Sequence, residues 1–228
     1  MNTLIVGAGQ IGNSLYSIFS KFYKCNIIDI SMVSKIEPEI MHICFPYSKD
    51  FISYVRMYQE MYEPKYTIIH STVPVGTSRK CNAIHSPCVG LHPFLEESIK
   101  TFTKFLGGED ADEVADYFRR ANIKCYLTDK QETTELMKIC STTAHGMFIE
   151  YTKEVKKLCK DNDVPFELWT LWNQNYNDGY EALNHPEYKR PNLIPIMKKI
   201  GGHCVLSNLD MIDSKFTKFL KELNDDKN

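Results

Sequence analysis

Gly7-Ala8-Gly9-Gln10-Ile11-Gly12 follows the apolar run Leu4-Ile5-Val6 and opens a segment with Ile11, Leu15, Ile18 and Phe19 at helical spacing. This stretch predicts a strand over 2–7, a glycine turn, and a helix over about 10–22. Outward from it, Cys25-Asn26-Ile27-Ile28-Asp29-Ile30 is a second strand that ends on an acid. Apolar runs at 40–45 and 66–70 flank a helix over about 49–61. Residues 86–127 add apolar runs near Val89 and Phe105, a helix over about 110–120 and a strand over 123–127. Strands alternating with helices imply right-handed crossovers and a parallel sheet.

The rhythm changes near residue 130. Between Glu132 and Lys160 the only glycine or proline is Gly146, and the pattern is helical throughout. Such a helix runs about 43 Å, more than the sheet domain covers. The expected fold is therefore α/β: a Rossmann-type, doubly wound, mainly parallel sheet over 1–130. A smaller all-helical domain built on the long helix follows over 131–228. An apolar face on that helix predicts a homodimer. Residues 165–190 are rich in aromatics and asparagine, 191–204 are punctuated by proline and glycine, and 209–223 read as a last amphipathic helix.

Composition excludes several classes. The chain has 228 residues, 27 Lys+Arg against 29 Asp+Glu, and a net charge of −2. That leaves no basic field for nucleic acid and no cationic face for anionic lipid. No segment reaches a membrane-spanning apolar run, and the N-terminus lacks the charge and cleavage pattern of a secretory signal. A cytoplasmic location is expected. The 8 cysteines and 7 histidines are scattered without metal-ligand spacing, so no metal is expected.

Glycines in the Gly7–Gly12 pattern serve a tight turn, close backbone approach to a pyrophosphate, and tight helix–strand packing. The helix N-terminus then faces the phosphates. Asp29, closing the second strand, is placed to take a ribose 2′-hydroxyl and to repel a 2′-phosphate, which favours NAD over NADP. Gly7, Gly9, Gln10, Ile11, Gly12 and Asp29, with Pro46, Ser71 and Thr72 after the next strands, form the expected cofactor site. S-adenosylmethionine on the same fold is the alternative.

Three further stretches carry a resemblance: Ser71-Thr72-Val73-Pro74-Val75-Gly76-Thr77, Glu135-Leu136-Met137-Lys138 with the later Glu154, and Gly201-Gly202-His203-Cys204. With the glycine fingerprint, in this order and spacing, the chain resembles the UDP-glucose/GDP-mannose dehydrogenase family of the 6-phosphogluconate-dehydrogenase-like superfamily, from residue 1 to about 215. The resemblance implies that Cys204 is a nucleophile and Lys138 an active-site lysine. In that chemistry a hydroxyl is oxidised by hydride transfer to NAD, and the thiolate captures the aldehyde as a thiohemiacetal. A lysine ammonium steadies the alkoxide. Lys138, Ser141, Thr142 and His145 also form a polar stripe at i, i+3, i+4 and i+7.

The chain departs from the family pattern at several positions. The family's Asp four residues after its cysteine is Asn208 here, and its Asn four residues after its lysine is Thr142. The segment that supplies a general base is nearest to His92-Pro93-Phe94-Leu95-Glu96, so His92, Glu96 and Glu97 are candidates. The family's C-terminal nucleotide-sugar-binding domain has no counterpart within the 228 residues. A smaller sugar-like or polyol substrate, a partner subunit or a carrier-bound substrate is expected in its place. Asn173, Asn177, Tyr176 and Tyr180 are candidates for polyol contact, Arg190 for an anion clamp, and His203 for a substrate neighbour. A packing role for Trp169 and Trp172 is the competing expectation for that segment. A group-transfer enzyme using another adenosine cofactor and a non-catalytic dinucleotide-binding subunit are the competing functions.

Overall fold

The protein is described by a computed structural model covering all residues except 30–31, 92, 197, 202–204 and 226–228. The chain divides into two compact units, Met1–Ile139 and Cys140–Asn228.

The first unit is the α/β sheet domain. Its elements are β1 (Asn2–Val6), α1 (Gln10–Phe19), β2 (Lys24–Ile28), β3 (Ile40–Ile43), α2 (Phe51–Tyr62), β4 (Tyr66–Ile69), α3 (Thr77–Lys80), β5 (Ile84–His85), α4 (Leu95–Thr101), β6 (Lys104–Gly107), α5 (Ala111–Arg120) and β7 (Cys125–Thr128). The sheet order is β2-β1-β3-β4-β5-β6-β7, parallel except where β6 runs antiparallel to β5. The chain steps from β1 to β2 on one side and returns with β3 on the other. The ends of β1 and β3 thus form the switch point at which open α/β sheets bind ligands.

Central strands are buried on both faces and read as apolar runs. Leu4, Val6, Met41, Ile43 and Ile69 pack on one face with Phe51 and Val55 of α2. Ile5, Ile40 and Ile68 pack on the other with Leu15, Ile18 and Phe19 of α1 and Val114 and Phe118 of α5. The edge of the sheet corrects one expectation. Phe105 is 42% exposed and lies against Tyr126, with ring centroids 5.4 Å apart, while its neighbour Lys104 is 3% exposed. Successive strand residues face opposite sides, so β6 turns its lysine inward. Val89, in the other apolar run, is also 42% exposed.

A polar row crosses this core. The Ser86 carbonyl lies 2.8 Å from His70 Nδ1, and His70 Nε2 lies 2.8 Å from His42 Nδ1. His42 Nε2 lies 3.0 Å from the Tyr117 hydroxyl, which lies 3.2 Å from Thr3 Oγ1. A carbonyl only accepts, so His70 Nδ1 carries its proton and Nε2 accepts from His42. His42 Nε2 then accepts from Tyr117, and Tyr117 accepts from Thr3. Burial, reinforced by the Lys104 charge, holds His42 down at about 3 and His70 well below its usual value, so both rings are neutral.

The second unit contains most of α6 (Gln131–Asp161), with α7 (Phe166–Ala182), 3₁₀ turns at Pro186–Tyr188 and Leu206–Asn208, and α8 (Lys215–Asp225). Its core joins Ile200, Val205, Leu209 and Leu220 to Met147 and Ile149 of α6. Gly146 is required there. A Cβ at this position would sit 2.5 Å from Leu220 Cδ2 and 2.8 Å from Val205 Cγ1. The last helix begins at Lys215 rather than near 209. Ser214 and Thr217 close a reciprocal cap, Thr217 N–H to Ser214 Oγ at 3.1 Å and Ser214 N–H to Thr217 Oγ1 at 3.2 Å. The packing role expected for the tryptophans holds for Trp169, half-buried with its ring 6.2 Å from that of Tyr151 of α6, and is corrected for Trp172. α7 buries Asn173 and Asn177, whereas Trp172 is 70% exposed.

Candidate functional site

The glycine turn has the geometry its spacing implies. Gly7 adopts φ +106°, and a Cβ there would meet the Phe45 nitrogen at 2.8 Å. A Cβ on Gly12 would lie 1.9 Å from the Gly7 carbonyl oxygen, so only glycine lets α1 close on the turn. Around the Gly9 Cβ position none of the described residues comes within 4 Å. Gly9 caps α1 without a side-chain hydrogen bond, and no acid stands in the first turn. A cavity of about 450 Å³ opens at this point, lined by Ala8, Gly9, Gln10, Asn13, Ser14, Pro93 and Leu95. The three glycines therefore provide a left-handed turn, close packing and open backbone beside a helix N-terminus. That arrangement fits a pyrophosphate.

The other expected cofactor residues gather around the same switch point. Gly7 N–H donates to the Ile28 carbonyl at 2.9 Å, which brings exposed Asp29, the next residue, to the margin of the turn. Ile11 is half-buried and Gln10 exposed at the start of α1. Pro46 is exposed just after β3, beside Phe45, whose carbonyl accepts the Ser71 hydroxyl at 2.5 Å. Thr72 is half-buried. The Ser71 carbonyl is held in turn by His85 Nε2 at 3.1 Å, where burial lowers the imidazole to about 3 and keeps it neutral.

Two residues of α6 reach this loop layer. Glu135, fully buried, accepts the backbone N–H of Gly76 at 2.5 Å and of Ser78 at 2.8 Å. One turn on, Lys138 donates from Nζ to the Cys88 carbonyl at 2.8 Å. The sequence placed Glu135 in a family motif without giving it a role. Nothing in its spacing says that its carboxylate caps the Ser71–Thr77 segment. Glu96, a candidate base, is engaged by Lys100, Ser17 and Lys21, which hold its carboxyl down at about 2. Such a group is a poor proton acceptor at neutral pH.

In the second unit, Asn208 is buried and its Nδ2 donates to Thr142 Oγ1 at 3.3 Å, joining two positions that depart from the family pattern. His145 is exposed on α6. Asn177 does not present its amide for a ligand. Its Nδ2 donates to the Arg190 carbonyl at 2.9 Å and its Oδ1 accepts the Arg190 N–H at 2.8 Å. The Arg190 guanidinium lies 3.6 Å from the Tyr176 ring centroid, and Tyr176 packs on Tyr180 at 4.7 Å. The anion clamp and polyol contacts expected here are thus bound into a structural knot. Asn173 is 2% exposed, and its Oδ1 has no hydrogen-bond partner among the described residues. His92, His203 and Cys204 lie outside the described residues.

No protein-family model matches the sequence, and no curated protein matches it. Solved structures do. UDP-D-ManNAc dehydrogenase from Pyrococcus horikoshii is similar with a TM-score of 0.71 at 17% identity, over 100% of this chain and 69% of that one. The UDP-N-acetyl-mannosamine dehydrogenase of Staphylococcus aureus gives 0.68 at 16% identity, over 100% and 68%. The 3-hydroxyisobutyrate dehydrogenase of Mycobacterium tuberculosis gives 0.72 at 11% identity, over 99% and 92%. The fold is the one these dehydrogenases share, a Rossmann-like, mostly parallel sheet followed by helices. Among the described residues no helix is long and apolar enough to cross a membrane.

Proposed function

We propose that the protein is a nicotinamide-dependent oxidoreductase that interconverts a hydroxyl and a carbonyl on a small, sugar-like substrate, with NAD as its cofactor. The observation that carries this is the glycine turn: Gly7 left-handed, Gly12 packed on it, and Gly9 open to a cavity at the N-terminus of α1. Asp29 supports NAD over NADP, because a carboxylate there accepts the ribose 2′-hydroxyl and repels a 2′-phosphate. The resemblance to nucleotide-sugar dehydrogenases and the shared fold support the reaction class.

A bound nicotinamide dinucleotide would supply the hydride acceptor. The chain's own residues do the rest. Glu135 fixes the Ser71–Thr77 segment, which would help hold the dinucleotide. The Cys88 carbonyl orients Lys138, whose ammonium stabilises negative charge on the substrate oxygen as its proton leaves. His92 takes that proton, and the Cys204 thiol adds to the carbonyl where oxidation goes on to the acid. A homodimer belongs to the same proposal. Phe148, Tyr151 and Leu158 of α6 and Leu168, Leu171 and Trp172 of α7 are each at least 41% exposed. Light scattering at micromolar concentration tests it, and a monomer removes the dimer.

The test of function is titration of the purified chain with NADH, NADPH and S-adenosylmethionine by calorimetry, followed by a substrate screen reading NADH formation. Tight NADH with weak NADPH is expected. Binding of S-adenosylmethionine alone points to group transfer. NADH binding with no turnover on any hydroxyl substrate points to a dinucleotide-binding subunit.

A further inference from the structure

Lys104 and Cys88 form a buried amine–thiol pair whose chemistry the proposed reaction does not use. Lys104 is 3% exposed and Cys88 is 7% exposed. The Lys104 Nζ donates to the Ser86 carbonyl at 2.7 Å, the Pro87 carbonyl at 3.0 Å and Cys88 Sγ at 3.2 Å. Three donors thus meet three acceptors, and among the described residues no carboxylate pairs with this lysine. The contact sets the lysine nitrogen directly against a nucleophilic sulfur, in a site closed to bulky reagents.

We propose that Cys88 and Lys104 are a peroxide-responsive modification site that closes to a sulfenamide crosslink. Cys88 thiol and hydrogen peroxide give the sulfenic acid and water, the sulfur losing two electrons to the peroxide O–O bond. The Lys104 ammonium releases one proton, and the resulting amine attacks that sulfur. An N–S bond forms, the S–OH bond breaks, and the hydroxyl leaves with an amine proton as a second water. In sum, thiol, ammonium and one peroxide give the crosslink, two waters and the released proton. Sulfenic acids condense in this way with a nearby nitrogen, and the condensation protects them from further oxidation. Here the nitrogen is already in contact, so capture requires no chain movement to bring the partners together. The Ser86 hydroxyl, fully buried and without a hydrogen-bond partner among the described residues, stands two residues before the sulfur in the same segment. This inference is independent of the oxidoreductase proposal.

The experiment treats the full chain with hydrogen peroxide, alkylates remaining thiols, and maps tryptic peptides by mass spectrometry with and without dithiothreitol. Cys140, which is exposed, reports that the oxidant acted. The expected product joins the Cys88 peptide to the Lys104 peptide with loss of two hydrogens. Trypsin fails to cut after Lys104, and dithiothreitol restores both the cut and the thiol. In Cys88→Ser, which keeps an acceptor for Lys104 and a native circular dichroism spectrum, the crosslink is gone and Lys104 is cut. Three results overturn the proposal: Cys88 sulfinic acid with Lys104 cleaved, a disulfide from Cys88 to another cysteine with Lys104 cleaved, or an unmodified Cys88 beside an oxidised Cys140.

Discussion

The Glu135 carboxylate holds the backbone N–H groups of Gly76 and Ser78, one on each oxygen, with no exposure to solvent. α6 thereby fixes the loop after β4, and the loop's shape depends on a residue far along the chain. Glu135→Gln keeps the volume but sets an NH₂ group against one of the two N–H donors. Loss of a buried acceptor from a charge-assisted pair should cost about 2–3 kcal/mol. The midpoint of urea unfolding measures it. A midpoint equal to wild type would mean that the loop holds itself.

Asp29→Asn removes the charge at the end of β2 while keeping the side chain's size. NADPH affinity should rise and NADH affinity fall, changing their ratio by about tenfold or more, equivalent to about 1.4 kcal/mol. Calorimetry on both cofactors gives the ratio directly. An unchanged ratio would place the ribose elsewhere.

Lys138→Met should lower turnover by about 10²- to 10³-fold, the usual loss when one donor to a developing oxyanion is removed. The NADH dissociation constant should stay as it is, because Lys138 reaches the Cys88 carbonyl rather than the glycine turn. If cofactor affinity falls in step with turnover, the lysine positions the cofactor and does not act on the substrate.

Acid should unfold the protein through its buried imidazoles. His42 and His85 are lowered to about 3 and His70 lies well below its usual value, chiefly by burial. Below pH 6.5 the unfolded chain takes up protons at these rings while the folded chain does not. Stability therefore falls as pH drops from about 6.5 toward 3, by up to about 1.4 kcal/mol per pH unit for each ring. Urea midpoints measured between pH 7 and 4 should decline steeply. His42→Gln, if it folds, should flatten the slope. A flat profile in the wild type would show the rings already protonated in the native state.

Much of this fold could be read from the chain because its signals are local. Buried parallel strands are apolar runs, and the glycine fingerprint carries its own geometry, so β1, α1 and β2 follow from 2–29. What escaped reading depends on distant partners. Lys104 lies in a run that reads as apolar around Phe105, and only the pairing of β6 with β7 shows which side faces inward. His42, in β3, and His70, just after β4, look like isolated polar residues until the parallel pairing of these strands brings their rings within 2.8 Å. In α7 the side chains suited to ligands were taken up by the structure, since the Arg190 backbone claims the Asn177 amide. Its exposed Leu171 and Trp172 reverse the usual burial of a helix face.

The row from Thr3 through Tyr117, His42 and His70 to Ser86 has only one sense. A proton delivered at the Thr3 end could move along it only if His70 passed one to Ser86, and an amide carbonyl has no onward donor. The row is therefore electrically insulated: it is a fixed dipole across the sheet rather than a conduit. Nitrogen-15 spectra of the two histidines should show a single tautomer for each, Nδ1-protonated, unchanged across the pH range in which the protein stays folded.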